Sequence, residues 1–166
     1  MNTVIIRKAE KEDFHAILKL NEAEVEKTSP MDLAKITLLN TLSCFHRVAV
    51  VNGEVAAFLL VISHEADYIN DNFEWFSARI PSFLYVDRIV VGSSYFGLKI
   101  GTKLYQDLFN YARELKIENI TCEYNIEPLN AASQAFHNKL GFSEVGTLKS
   151  ATGEKVVSMQ CVKVKF

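Results

Sequence analysis

The chain has 166 residues and a formal net charge of −2, from 18 basic and 20 acidic side chains; 49% of it is apolar and 23% charged. That composition supplies a sizeable core and excludes disorder as the main state, while the lack of a basic block argues against a nucleic-acid binder working through phosphate contacts. Cys44, Cys122 and Cys161 lie far apart with no Cys-x-x-Cys pair, which speaks against a disulfide framework and a thiolate zinc site.

The amino-terminal segment Met1–Lys8 has no basic region leading into a long apolar one, and no apolar run approaches the ~20 residues that span a bilayer. A cytoplasmic protein with no membrane or nucleic-acid partner is expected. Val4–Arg7 is the first predicted strand. Phe14, Ile17, Leu18 and Val25 then recur at helical spacing. Ser29-Pro30-Met31-Asp32 reads as the start of a second helix, with Ser29 as cap, Pro30 in the first turn and Asp32 near the positive end; Leu33, Ile36, Leu39 and Asn40 carry it on. Arg47–Val51 and Glu54–Ile62 are β-rich runs joined by Asn52-Gly53, a strong hairpin signal. Residues 64–82 are polar and aromatic without a period, and read as a long irregular loop of the kind that carries function. Phe83–Val91 is a near-continuous apolar run, as in a central strand covered on both faces.

Ile100, Leu104, Leu108, Tyr111, Ala112 and Leu115 mark one face of a long amphipathic helix. Glu118–Tyr124 is a further strand. Asn130–Leu140 is a last helix, closed by Gly141 and Phe142 as a glycine cap with its hydrophobic contact. Val145–Leu148 and Val156–Val164 are the final strands. The order β-αα-βββ-α-β-α-ββ predicts one mixed α/β domain over residues 1–166.

One turn stands out. Val91-Gly92-Ser93-Ser94-Tyr95-Phe96-Gly97-Leu98-Lys99-Ile100-Gly101-Thr102 runs from the buried strand straight into the long helix. The first N–H groups of a helix lack partners and suit an anion, above all a pyrophosphate. Gly92 and Gly97 have Walker spacing, but Leu98 stands where that loop needs Lys, and the three glycines of a dinucleotide fingerprint are absent.

The strand Leu84-Tyr85-Val86-Asp87-Arg88-Ile89-Val90-Val91, the turn Phe96–Gly101 and the stretch Asn130-Ala131-Ala132-Ser133-Gln134-Ala135-Phe136-His137-Asn138-Lys139-Leu140-Gly141-Phe142 together resemble the GNAT (GCN5-related N-acetyltransferase) superfamily. Ala66–Tyr68, Phe73–Phe76 and Phe83–Val91 are similar to a bacterial subgroup of it. The resemblance covers essentially the whole chain. It implies a central, mostly antiparallel sheet with two splayed parallel strands, flanked by helices. It implies acetyl-CoA (CoA) as cofactor and direct transfer of the acetyl group to an amine of a small molecule or peptide. The superfamily's pyrophosphate loop, Arg/Gln-x-x-Gly-x-Gly/Ala, falls on Phe96, Lys99 and Gly101, so only the last fixed position matches.

On this resemblance the cofactor contacts are Ile89, Val90 and Val91, then Phe96, Gly97, Leu98, Lys99, Ile100, Gly101 and Thr102, then Asn130 and Ser133. The pantetheine arm lies between Phe83–Val91 and Glu118–Asn125. His137 occupies the place where the superfamily usually has a Tyr that protonates the departing thiolate; its other reading is a structural histidine. Asn130, Ser133 and His137 share one helix face, and Asn130 also suits a helix cap. Asp87 and Arg88 interrupt the apolar strand, and alternation sends them to opposite faces, where they cannot neutralise each other. Asp87 and Glu123 are rival general bases, with water-relayed proton loss as the third option. Asn21, Glu24, Tyr68, Glu74, Trp75 and Phe76 can line an acceptor pocket; the aromatics can equally anchor the loop. A possible homodimer rests on the last strand. A non-catalytic acyl-CoA sensor is the alternative, motivated by the imperfect loop and the missing Tyr.

Overall fold

The computed structural model describes residues 3–166; Met1 and Asn2, the start of the amino-terminal segment read above, lie outside the described residues. The elements are β1 (Val4–Lys8), α1 (Phe14–Ala23), α2 (Leu33–Leu42), β2 (Phe45–Val51), β3 (Glu54–Ser63), α3 (Asp71–Ser77), β4 (Leu84–Val91), α4 (Ile100–Leu115), β5 (Asn119–Glu127), α5 (Ala131–Lys139), β6 (Ser143–Lys149) and β7 (Val156–Lys163). The strands form one sheet in the order β1-β2-β3-β4-β5-β7-β6, in which only β4 and β5 run parallel.

Local signals fix many of these elements. Asn52 (φ 52°) and Gly53 (φ 81°) both take positive φ, as the tight β2–β3 turn demands. The Asn130 side chain accepts from the Ser133 N–H and caps α5. Gly141 (φ 94°) ends that helix, and the Phe142 N–H returns to His137 O at 3.1 Å. The sheet then separates two cores. Leu59, Leu84, Val86 and Ile120 pack on one face with Ile100, Leu104, Tyr105 and Leu108 of α4. Phe58, Leu60 and Tyr85 pack on the other with Phe14 and Ile17 of α1, Ile36 and Leu39 of α2, and Phe73 and Phe76 of α3.

Several expectations change. The last strand, β7, is paired on both sides, by β5 and β6, so it has no free edge on which a homodimer could form. The cap of α2 is Asp32, which accepts from the Lys35 N–H at 2.8 Å, so Ser29 and Pro30 lie outside the helix. Residues 64–82 are not irregular throughout: α3 forms there, capped by the Asn70 side chain. Val25 lies beyond α1, and Leu115, at the end of α4, is exposed. Asp87 and Arg88 do not alternate. Leu60 pairs with Arg88 and Val61 with Val86, so Asp87 is the extra residue of a β-bulge, and the two side chains meet.

β4 and β5 pair only at Leu84–Ile120 and Tyr85–Thr121. Beyond Tyr85 they diverge, and the edge of β4 from Val86 onward faces an open cleft. Among the described residues, no helix is long and apolar enough to cross a membrane.

Candidate active site

The cleft opened by this splay has a volume of about 1120 Å³ and runs through the molecule from the start of α4 to the β6–β7 hairpin. Its two halves are built differently.

The first half is mainly backbone. Gly97 (φ 92°) and Lys99 (φ 58°) turn the chain sharply into α4. The first intrahelical bond is Lys103 N–H to Lys99 O at 3.1 Å, and Lys99 makes no side-chain cap. The N–H groups of Ile100, Gly101 and Thr102 are therefore left for a ligand at the positive end of the helix. These residues line the cleft with Phe96, Gly97, Lys99, Asn130 and Ser133, and with Ile89, Val90 and Val91 on the unpaired edge of β4. Leu98 is absent from the lining. Gly101 is needed for a second reason: a Cβ there would stand 2.9 Å from the Phe136 ring of α5. A free strand edge followed by a bare helix N-terminus fits an extended amide-bearing arm ending in a pyrophosphate.

His137 is on the cleft wall but buried. Its Nδ1 lies 2.8 Å from Ser133 O, which can only accept, so Nδ1 carries the proton; Nε2 accepts from the Tyr105 hydroxyl at 2.8 Å. Tyr105, Phe136, Phe142 and Tyr124 surround the ring. Burial pushes its pKa down. The expected proton donor thus has both nitrogens engaged, Nδ1 within α5 and Nε2 across to Tyr105 of α4.

The second half is side chains. Glu123 of β5 accepts from the Tyr85 hydroxyl at 2.5 Å. Burial pushes its carboxyl up to about 8; Asp87 adds to the rise, while the Tyr85 bond and Arg88 oppose it. Asp87 is itself saturated. One oxygen accepts from the Tyr68 hydroxyl at 2.6 Å and the other from Arg88 Nε at 2.8 Å, and both side chains of the ion pair are 5% exposed or less. Arg88 also donates from Nη1 to Asn21 Oδ1 (3.0 Å) and Ser29 O (3.1 Å), and from Nη2 to Ser29 Oγ (3.1 Å). Of the six acceptor residues expected, Glu24, Glu74 and Trp75 line the cleft. Asn21, Tyr68 and Phe76 do not: they are buried behind it, Asn21 and Tyr68 within the Arg88–Asp87 network and Phe76 in the core. Trp75 lies against Gly146 of β6, where any Cβ would overlap the indole, and is further supported by the Arg79 guanidinium 4.0 Å from the ring centre and the Phe76 ring edge-on to it. Sequence reasoning missed Arg88, Ser29 and Gly146; a charged pair inside an apolar strand was the one available hint.

The profile of the acetyltransferase (GNAT) family matches residues 6–142. Among solved structures, the ribosomal-protein-alanine N-acetyltransferase of Brucella melitensis is 25% identical with a TM-score of 0.71, over 96% of this chain and 99% of that one. The ribosomal-protein-S18-alanine N-acetyltransferase of Escherichia coli is 17% identical with a TM-score of 0.73, over 100% and 96%. YncA of Salmonella typhimurium, a putative acetyltransferase solved with acetyl-CoA, is 20% identical with a TM-score of 0.71, over 99% and 95%. Comparison with curated proteins finds no match. Through the profile match along most of its length, and with a splayed-strand cleft that suits the cofactor, the chain belongs to the acetyltransferase (GNAT) family and is an acetyl-CoA-dependent N-acetyltransferase.

Proposed function

We propose that this single-domain enzyme acetylates an amine of a small molecule or peptide by direct transfer in the cytoplasm, with Glu123 as general base. The observation that carries the reading is the Glu123 carboxyl: on the cleft, bonded to the Tyr85 hydroxyl, and with its pKa raised by burial to about 8. A base with that pKa can take a proton from an ammonium group near neutral pH, directly or through one water. Asp87 is the poorer candidate, because Tyr68 and Arg88 already occupy its two oxygens.

The cofactor supplies an acetyl thioester. The Ile100, Gly101 and Thr102 N–H groups would hold its pyrophosphate, with Lys99 adding charge, and the edge of β4 at Ile89–Val91 would bind the arm and donate to the thioester oxygen. Glu123 makes the amine neutral; the amine nitrogen bonds to the acetyl carbon as the carbon–sulfur bond breaks. Water would supply the proton for the departing thiolate, and His137, with both ring nitrogens engaged, positions the cleft face of α5 rather than donating. Glu24, Glu74 and Trp75 line the acceptor's half.

The test is consumption of acetyl-CoA against a panel of small amines and short peptides, in wild type and Glu123→Gln. Acetyl transfer to at least one of them that collapses in the variant supports the assignment. With Glu123 as base, kcat/KM for the acceptor rises with pH toward about 8 and then levels. Transfer with no dependence on Glu123 would return the role of base to water.

A further inference from the structure

The segment between α1 and α2, residues 24–29, has no regular structure holding it to the sheet, yet it walls the acceptor half through Glu24, Lys27, Thr28 and Ser29. Its fastenings are hydrogen bonds, among them the Thr28 hydroxyl donating to Asn21 Oδ1 at 3.3 Å. Glu26 O accepts from Asn125 Nδ2 (3.4 Å) and from Lys155 Nζ (3.3 Å). At its other end Ser29 is gripped by Arg88 through both its carbonyl and its hydroxyl, and Asn21 Nδ2 donates to the same carbonyl at 2.9 Å. Arg88 reaches this segment because the bulge at Asp87 turns it onto the face of Tyr85 and Val90, which α1 covers. On its other side it holds Asp87, which holds Tyr68 in the segment leading to α3.

We propose that the Asp87–Arg88 pair is the positioning element of the acceptor half: Arg88 fixes residues 24–29 against β4, and the pair presents Glu123 with two charges that cancel. One buried guanidinium thus ties together α1, the 24–29 segment and β4. Because Asp87 raises the Glu123 pKa and Arg88 lowers it, losing either partner alone unbalances the base in a known direction. The titratable groups that interact with Glu123 are Tyr85, Asp87 and Arg88 of β4, Tyr68, Tyr105 of α4 and its own neighbour Cys122; burial holds the three tyrosines and the thiol neutral. The charged rim comprises Glu24 and Lys27 on the segment, Asp71 and Glu74 on α3, and Lys149 and Lys155 on the hairpin; none of these six is a cause of the Glu123 shift. The catalytic consequence rests on Glu123 being the base, but the positioning does not.

The experiment therefore reads the free protein as well as turnover. Amide hydrogen exchange is measured over residues 24–29 in wild type, Arg88→Lys and Arg88→Gln, and the Glu123 carboxyl is titrated by infrared difference against Glu123→Gln. Arg88→Gln should speed exchange of the segment by about tenfold or more while leaving Ile100–Leu115 unchanged, and Arg88→Lys should fall between. The Glu123 midpoint should move up in Arg88→Gln and down in Asp87→Asn. A merely structural pair would move it the same way in both. If Arg88→Gln fails to fold, Ser29→Ala removes one of the grips on the segment, and the double variant Asp87→Asn/Arg88→Gln removes the pair without stranding a charge. Either should speed exchange. In turnover, Arg88→Gln should raise the acceptor KM by about tenfold with the acetyl-CoA KM within about twofold. Unchanged exchange over 24–29, or midpoints that shift together, would overturn the proposal. A protein that acetylates no amine would overturn the functional reading and leave both physical tests standing.

Discussion

The two halves of the cleft are built of different materials. The half proposed for the cofactor is backbone: an unpaired strand edge and the amides at the start of α4. The half proposed for the acceptor is built of polar side chains, from Tyr85 and Glu123 on one strand pair to Asp87 and Arg88, with Arg88 and Asn21 buried and the line ending at the exposed Ser29. Backbone groups are supplied whatever the side chain, so the first half tolerates Phe96 and Lys99 at two fixed positions of the family loop. A network of side chains has no such tolerance, since a missing partner strands a polar group out of water. Substitutions should therefore cost much in one half and little in the other.

The largest effect falls on Glu123. Glu123→Gln keeps the Tyr85 contact but cannot take a proton, and kcat/KM for the acceptor should drop ~10²–10⁴-fold. Calorimetry should find CoA affinity nearly unchanged, because the pyrophosphate site lies in the other half. A matched loss of CoA affinity would show that the halves are not separable.

The difference between halves also decides what the sequence could reveal. The β2–β3 turn, the α5 cap at Asn130 and the Gly141 stop were legible because each is written in two to four adjacent residues. The sharp turn into α4, where the anion site is proposed, was legible for the same reason. The acceptor half was not, because its contacts join residues 59 and 67 positions apart, as in Arg88 with Ser29 and Asn21. Strand alternation predicted opposite faces for Asp87 and Arg88, and a bulge set by pairing with β3 reversed that. The α3 helix, at seven residues, is too short for periodicity to announce, although Asn70 followed by Asp71 and Glu74 carries a start signal.

His137 is the next test, since it stands on the cofactor wall yet is held like an acceptor-side residue. His137→Phe strands the Tyr105 hydroxyl, which should lower stability by ~1–3 kcal/mol in urea unfolding. Turnover per folded molecule should hold within about threefold; a fall of ~10²-fold would restore the proton-donor role. The pH sign is fixed as well. Burial lowers the His137 pKa below that of the unfolded chain, so its contribution to stability is full above the unfolded pKa of about 6.5 and is lost as pH falls through the lower folded value. The variant should be less acid-labile over that range.

Smaller effects come from the acceptor wall. Trp75→Ala removes the indole, and Gly146→Ala displaces it by occupying the space it lies in. Both should raise the acceptor KM by about tenfold, more than that of acetyl-CoA, in initial-rate kinetics. If the cofactor constant moves instead, Trp75 belongs to the other half.

The smallest effects test the claim that backbone suffices at the cofactor. Lys99→Glu places a repelling charge beside the Ile100–Thr102 amides and should weaken CoA by ~1 kcal/mol, about fivefold. Phe96→Arg supplies the family's basic residue at an exposed position, 65% accessible in the turn. Were the loop's side chains the main hold on the pyrophosphate, that change should tighten binding by tenfold or more, roughly what a positioned charge-assisted bond contributes. With the helix amides already in place, and a long side chain tethered in water and screened by salt, the gain should stay below about threefold. Titration of CoA into the two proteins at two ionic strengths separates these outcomes, because any gain carried by the new Arg charge shrinks as salt rises.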